Sequence, residues 1–496
     1  MNANNQNHRA ILKSLAHEAM LERGLLPDFS NEALAELGQI QPLTLPENKS
    51  AGIRDMRDLL WASIDNDDSR DLDQLTVAEG LASDKVKIFV AIADVDSIVK
   101  KESAIDEHAR HNTTSVYTAA ETFPMLPEKI STDITSLNFN EDRLSIVVEM
   151  VIGVNGSLEG SKIYRAWVRN YAKLAYNSVA AWLEKKEPIP EVIAAVKGLA
   201  ENVQLQDQTA QKMNNFRHTH GALNLETIES KPVFDGDQIR TLEIEEKNRA
   251  KEIIEDFMIA ANGVTARYLS AGKFPSIRRV VRIPKRWDRI VEIAAGYKYK
   301  LPVAPDSKAL DEFLVKQKAI DPLRFPDLSL SVIKLLGAGE YIAELPDENV
   351  PGHFGLAVKD YGHSTAPNRR FPDLLTQRLL KAALEEKPAP YSKDELDILA
   401  THCTEAEDAA KKVERQVGKS AAALLLEARI GEQFDSIVTG ASEKGTWVRL
   451  LTVPVEGKLI SGFDGIDVGD RIRVKLIAVD VQQGFIDFQN VNRSSH

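Results

Sequence analysis

Apolar residues recur at helical spacing near the start of the chain. Ile11, Leu12, Leu15 and Ala19 fall three or four apart between His8 and Arg23, and Gly24 is a natural stop. Ser30 suits the cap of a second short helix carrying Ala33, Leu34 and Leu37 to Gly38. Together they read as a helical arm over residues 1–50, either helix-turn-helix-like or a hairpin packed on the rest. Pro42, Pro46 and Gly52 mark a linker.

Beyond Ile53 strands mix with helices. Gln74 to Glu79 and Val86 to Asp94 read as a hairpin around Gly80, the second strand strongly apolar in Ile88, Phe89, Val90, Ala91 and Ile92, and Arg143 to Val154 is a further strand. Long helices are expected at Pro190–Phe216, Glu245–Ala271 and Ser307–Lys316. Thr404 with Glu407 forms a capping-box pattern, opening a helix through Val413, Val417, Ala421 and Leu424 to Gly431. The tail then changes character. Stretches at Gln433–Thr439, Thr446–Leu451, Lys458–Ile460, Arg471–Val481 and Gly484–Gln489, divided by glycines, predict a small five-stranded barrel of the OB type. Phe434 and Trp447 are its candidate base-stacking aromatics, although barrel core is the commoner use of either. The fold class is α+β, with an arm (1–50), a body (51–429) and a barrel (430–496).

Composition adds limits. A chain of 496 residues, 43% hydrophobic, is long enough for two or three domains with real cores. No apolar run approaches a membrane span, and Met1–Asn7 is too polar for a signal peptide, so a cytoplasmic protein is expected. The one cysteine, Cys403, excludes an internal disulfide and a multi-cysteine zinc site. A net charge of −12 excludes a protein that coats itself with nucleic acid, while leaving room for an internal basic channel. Positive charge is concentrated locally in Arg278, Arg279, Arg282, Lys285 and Arg286, which read as a solvated face as readily as a binding one, and in Arg369, Arg370 and Arg378.

The chemistry centres on S-I-D-N-D-D-S-R-D-L-D-Q-L, Ser63 to Leu75. Asp65, Asp67, Asp68, Asp71 and Asp73 crowd a turn whose shoulders are apolar, and like charges so close require a counter-cation. An extended Asp71–Asp73 would place two carboxylates on one face, an arrangement suited to a hard, oxygen-liganded ion such as magnesium, with a solvated turn as the alternative. An EF-hand is excluded: counted from Asp65, Arg70 stands where Gly is needed and Thr76 where Glu is needed. A second stretch, P-N-R-R-F-P-D at Pro367–Asp373, runs into a helix whose first turn carries Pro372, and guanidinium groups beside a helix N-terminus form a phosphate site. Metal ligands with a phosphate clamp point to phosphoryl chemistry.

These motifs resemble the RNB family of ribonuclease II-like exoribonucleases. The carriers are I-D-x5-D-x-D after Ser63, A-I-A-D at Ala91–Asp94, F-P-M-L-P at Phe123–Pro127, A-K-L-A-Y at Ala172–Tyr176, I-I-E-D-F-M-I-A-A-N at Ile253–Asn262, H-F-G-L at His353–Leu356 and the Pro367–Asp373 stretch. The tail is similar to an S1 RNA-binding domain. The resemblance implies a mixed-sheet catalytic body wrapped by helices and processive 3′-to-5′ hydrolysis of single-stranded RNA to nucleoside 5′-monophosphates, with Mg2+ assisting the attack of water. It implies metal ligation by Asp65, Asp71 and Asp73, the last indispensable, and a phosphate clamp at Arg369 beside Arg370. It also implies ribose contacts from Tyr176 and Glu255, a stacking Tyr117, and Glu414 lining the same site. A monomer bound to single-stranded RNA is the expected working form.

Four departures qualify the match. Gln74 stands where the family has a second adjacent aspartate, which raises the alternative of a catalytically impaired RNA-binding protein. Leu225 replaces a stacking aromatic, and Asn368 an apolar residue. Residues 1–50 read as an arm where the resemblance implies a pair of cold-shock barrels.

Overall fold

The computed structural model describes residues 7–44, 52–228, 230–245, 247–346, 348, 350–442 and 445–491. Pro46 of the expected linker lies outside them. Helix α1 (His8–Glu22) is capped by Asn7, and α2 (Asn31–Gln39) by Ser30, whose side chain accepts the Ala33 N–H. The two helices dock on different elements. α1 buries Leu12, Ala16, Ala19 and Met20 in one cluster with the late helix residues Val413, Val417 and Leu424, whereas Ala33 of α2 joins the central core. Both helices therefore pack on the body, each against a different part of it.

The body is built on a seven-stranded sheet. Its members are β1 (Ile53–Asp55), β2 (Ala62–Asp65), β3 (Gln74–Gly80), β4 (Val86–Ala93), β7 (Asp142–Ile152), β8 (Leu158–Arg169) and β9 (Ala172–Ala175), in the order β1-β8-β7-β4-β3-β2-β9. Between β4 and β7 come α3 (Ala104–Asn112), the two-residue strands β5 (Val116–Tyr117) and β6 (Thr122–Phe123), and a π-helix at Lys129–Ile134. The expected hairpin is the antiparallel β3–β4 pair, registered Gln74 to Ile92 through Gly80 to Val86. β4 is apolar from Ile88 to Ala93 because that stretch lies mid-sheet under helices, where both faces exclude water.

Next come α4 (Tyr176–Leu183), α5 (Glu191–Ala194), α6 (Leu199–Thr219), the hairpin β10 (Ser230–Asp235) and β11 (Gln238–Ile244), and α7 (Arg249–Ala271). The helix expected at Pro190–Phe216 is broken at Gly198, whose φ of +84° is left-handed, and α7 begins at Arg249 rather than Glu245 because Asn248 caps it. Then follow β12 (Ser276–Val280), α8 (Trp287–Gly296), α9 (Ser307–Ile320), α10 (Phe325–Leu336), β13 (Glu340–Glu344), α11 (Phe371–Leu384) and α12 (Lys393–Glu427).

Two sequence expectations fail here for physical reasons. α12 is capped by Ser392 with Glu395 in a complete capping box, so Thr404 lies inside the helix, where its hydroxyl donates to the Ala400 carbonyl and accepts the Tyr341 N–H. The Thr404–Glu407 spacing matched a cap, but helix-favouring residues continue upstream of it. The solvated-face reading of the basic cluster fails for Arg278 and Arg279, which lie buried on β12, Arg278 paired with Glu344 and Arg279 doubly with Glu407 at 2.6 and 3.0 Å, and holds for Arg282, Lys285 and Arg286, which are exposed. Arg378 is likewise structural, enclosed by Asp106, Asp96 and the Tyr391 hydroxyl.

The tail closes into a five-stranded barrel, β14 (Gln433–Ser442), β15 (Gly445–Leu450), β16 (Glu456–Ser461), β17 (Arg471–Asp480) and β18 (Phe485–Asn490), in the order β14-β15-β16-β18-β17. Phe434 is 4% exposed and packs edge-on to Phe488 inside it, which corrects its placement as an exposed base-stacking aromatic. Trp447 is half-buried on β15. Arg449 joins the barrel to α10 through Asp327 at 2.6 Å, and Arg324 donates to the Val468 carbonyl at 2.9 Å.

Candidate active site

The acidic loop connects β2 to β3. Asp65 ends β2, and Asp73 immediately precedes β3, so the central sheet holds both ends while residues 66–72 turn between them. The segment Asp71–Asp73 is not part of a strand; the two carboxylates are set by contacts instead of by a strand's period of two. Asp73 is 1% exposed. Its carboxylate accepts the Asn368 backbone N–H at 2.8 Å and Arg369 Nε at 3.1 Å. Burial pushes its pKa up to about 7, against the opposing pull of Arg369 and with a further push from Asp71. Asp65 is also raised, by burial first, although it accepts the Asn66 N–H at 2.7 Å.

Arg369 precedes α11, on a loop folded back by Asp373. That carboxylate, fully buried, accepts the Thr365 and Ala366 N–H groups at 2.7 and 2.9 Å and Arg370 Nη2 at 2.7 Å. Arg370 therefore holds the loop. Arg369 donates from Nε to Asp73, and its side chain is 41% exposed. Burial alone would lower its pKa, but Asp73, Asp65 and Asp71 outweigh that and keep the guanidinium above its ordinary value.

Tyr117 closes one side. Its hydroxyl donates to Asp71 Oδ2 at 3.0 Å, its backbone N–H donates to Glu414 Oε1 of α12 at 2.9 Å, and the residue is 43% exposed. Tyr176 opens α4 on the side of Asp65: burial first, then the Asp65 charge, raises its phenol. The structure thus gathers Asp65, Asp71, Asp73, Arg369, Tyr117, Tyr176 and Glu414. Glu255, on α7, pairs with Lys247 at 2.9 Å, both about 40% exposed. Phe434 is withdrawn into the barrel. Gln74 begins β3 opposite Ile92, buried beside Asp73.

The donor set fits a hard divalent cation in kind, because burial and the nearby Asp71 charge disfavour the charged forms of Asp65 and Asp73, and a cation reverses that penalty. Among the described residues, no group of three or more His, Cys, Asp or Glu is drawn tightly round one point. Asp73 is engaged by Asn368 and Arg369, and Asp71 by Tyr117.

Some contributors carry no sequence signal of their own. The Asn368 backbone N–H acts through its peptide group, which any residue supplies, and Thr135 and Ser136, described below, sit in an unremarkable S-T-D-I-T-S run.

Comparison with known proteins fits this geometry. Residues 53–386 match the RNB domain, and residues 432–491 match the RNase II-type exonuclease C-terminal S1 domain. Ribonuclease R of Vibrio parahaemolyticus is 30% identical over 508 residues, covering 94% of this chain and 59% of the relative. Ribonuclease R of Escherichia coli K12 is 28% identical over 483 residues, with 90% and 58% covered. The chain spans about three fifths of the length of these curated relatives. Among solved structures, Mycoplasma genitalium RNase R in complex with ribose-methylated single-stranded RNA superposes with a TM-score of 0.87 at 22% identity, covering 98% of this chain and 79% of that one. Yeast Ssd1, a pseudonuclease, superposes at 0.72 with 15% identity, covering 90% of this chain and 55% of that one, and both likenesses speak to the fold. With two thirds of its length matched by one domain and that domain's aspartates and arginine brought together, the chain belongs to the RNB-domain family.

Proposed function

We propose that this protein is a 3′-to-5′ exoribonuclease that hydrolyses single-stranded RNA processively to nucleoside 5′-monophosphates. The observation that carries the reading is the pairing of Arg369 with buried Asp73. It sets a part-exposed guanidinium, bonded among the described residues through Nε alone, beside the carboxylates of Asp65, Asp71 and Asp73, a cationic clamp against an acidic pocket. Ribonuclease R relatives support it by name.

Asp65, Asp71 and Asp73 would hold a divalent ion, magnesium by the hardness of its ligands. When bound, that ion neutralises charge at the scissile phosphate and helps ionise the attacking water. Arg369 binds the same phosphate through Nη and stabilises the charge that develops there. Tyr117, by its place and exposure, stacks on a base near the 3′ end, while Tyr176 and Glu255 read the terminal ribose hydroxyls that distinguish RNA from DNA. Glu414 steadies Tyr117 through its backbone. Trp447 and the barrel guide the strand; Arg370 supports the clamp from behind. The arm, body and barrel act as one monomer. No helix among the described residues is long and apolar enough to cross a membrane, and we place the protein in the cytoplasm with RNA as its partner.

The alternative of an impaired RNA-binding protein rests on Gln74 alone. A time course with 5′-labelled single-stranded RNA, with and without magnesium, separates the two. Magnesium-dependent shortening to a small limit product without an intermediate ladder is expected; RNA that binds the protein and stays intact would favour the alternative.

A further inference from the structure

Three segments carry the site: β2 with Asp65, the loop that follows it with Asp71 and Asp73, and the distant loop with Arg369. One short stretch, Thr135-Ser136-Leu137, touches the supports of all three. It follows the π-helix at Lys129–Ile134, an irregular turn of a kind found often at functional sites. Its residues are 5%, 0% and 0% exposed.

Ser136 grips the acidic loop. Its hydroxyl donates to the Arg70 carbonyl at 2.9 Å and accepts the Leu72 N–H at 3.0 Å, so the two peptides flanking Asp71 are fixed by one oxygen. Leu137 adds its own N–H to the Leu72 carbonyl at 3.0 Å. Thr135 reaches the other loop: its hydroxyl meets the side-chain amide of Asn368 at 2.5 Å and the Ile130 carbonyl at 2.8 Å. Asn368 is fully buried, and its backbone N–H holds Asp73. The third link is Asn170, whose amide donates to the Leu137 carbonyl at 2.9 Å and to Ser63 Oγ on β2 at 3.2 Å, two residues before Asp65.

We infer that Thr135-Ser136-Leu137 is a crosspiece that sets the spacing between the carboxylates and the Arg369 clamp, with Thr135, Ser136 and Asn368 as positioning residues. The inference rests on the proposed exonuclease reading of the same site. Its physical basis is that phosphoryl transfer depends on placement: an error of about 1 Å costs on the order of 100-fold in rate even when no reacting group is removed. Among the described residues none of the three side chains hydrogen-bonds Arg369, so strand binding is left to other groups.

The test is steady-state kinetics, RNA affinity and hydrogen exchange on the full chain with Ser136→Ala, Thr135→Val and Asn368→Leu. Each is expected to lower kcat by about 10- to 100-fold while the Kd for single-stranded RNA changes by less than about twofold. Thr135→Ser, which keeps the hydroxyl, restores most of the loss. Faster exchange in peptides 70–74 and 366–370 together is the expected signature of Ser136→Ala. Wild-type kcat in Thr135→Val and Asn368→Leu would overturn the crosspiece, as would losses of kcat and RNA affinity in equal measure. Should the wild-type protein release no nucleotides, the exonuclease reading itself falls. The exchange data then decide the crosspiece alone: acceleration confined to 70–74 rejects it, and acceleration in both loops supports it. If Ser136→Ala fails to fold, the other two variants carry the same test.

Discussion

On the proposed reading Arg369 has two tasks that no single charge point can share: Nε meets Asp73, and Nη would meet a phosphate. Lysine at this position would keep the charge and lose the fork, meeting either the carboxylate or the phosphate. Arg369→Lys is therefore expected to lower kcat by about 10- to 100-fold with KM nearly unchanged, which initial-rate kinetics on a short RNA would measure. Asp73→Asn should stop cleavage more completely while sparing RNA affinity, because the amide removes charge from the pocket but nothing from the strand's path. Equal loss of binding and turnover would assign Asp73 to the fold instead. Gln74 bears on the same question: its neighbour Asp73 is already anchored twice, so the family's second aspartate is not needed to hold Asp73 in place.

Among the elements, the barrel strands and α12 show how the parts are joined. α12 carries Glu407 to Arg279, Glu414 to Tyr117, and Val413, Val417 and Leu424 to α1, so one helix braces arm, site and body. The barrel is fastened at a tight approach: Gly469 has φ +93°, and a Cβ there would lie 1.9 Å from Arg324 Nη2. Gly469→Ala should destabilise the protein by about 1–3 kcal/mol, from the left-handed strain and the displaced Arg324. Urea unfolding of this variant beside Gly469→Ala/Arg324→Ala separates the causes, since the double variant removes the clash and keeps the strain. These joints were hard to read beforehand. A glycine run between strands marks turns, but which turn meets another domain is decided by partners hundreds of residues away.

At the scale of the whole molecule, burial of neutral histidines sets a response to acid. His108 is 5% exposed, stacks on Phe29 at 4.1 Å and pairs with Asn112. Burial, with a smaller push from His111 against the pull of Asp28, lowers its pKa to about 4. The unfolded chain takes up a proton near pH 6.5, while the folded chain resists until about pH 4. Stability is thus intact above 6.5 and falls as pH drops through that window, by about 3 kcal/mol in the limit. Asp256, raised to about 6 by burial against its Arg217 partner, acts in the opposite sense, so total stability alone does not isolate the histidine. His108→Gln should show a smaller fall in Tm between pH 7 and pH 5 than the wild-type protein.

What the amino-acid sequence determined by itself is whatever depends on near neighbours. The α+β class, the β3–β4 hairpin, the five barrel strands, the first turn of α11 with Pro372 and the crowding of Asp65, Asp71 and Asp73 all follow from periodicity, turn residues and like charge within a few positions. Tertiary structure decided what depends on distant partners. It turned Arg278, Arg279 and Arg378 from surface cations into buried struts, because Glu344, Glu407 and Asp106 arrive from elsewhere to pay their desolvation. It drew Phe434 into the barrel core, since only closure of the sheet defines an inside. It also brought Asn368 and Thr135 together across 233 positions, and with them the spacing of the site. Short-range pattern states which groups a chain possesses; long-range packing decides which of them stay dry, and so which are left to act on a substrate.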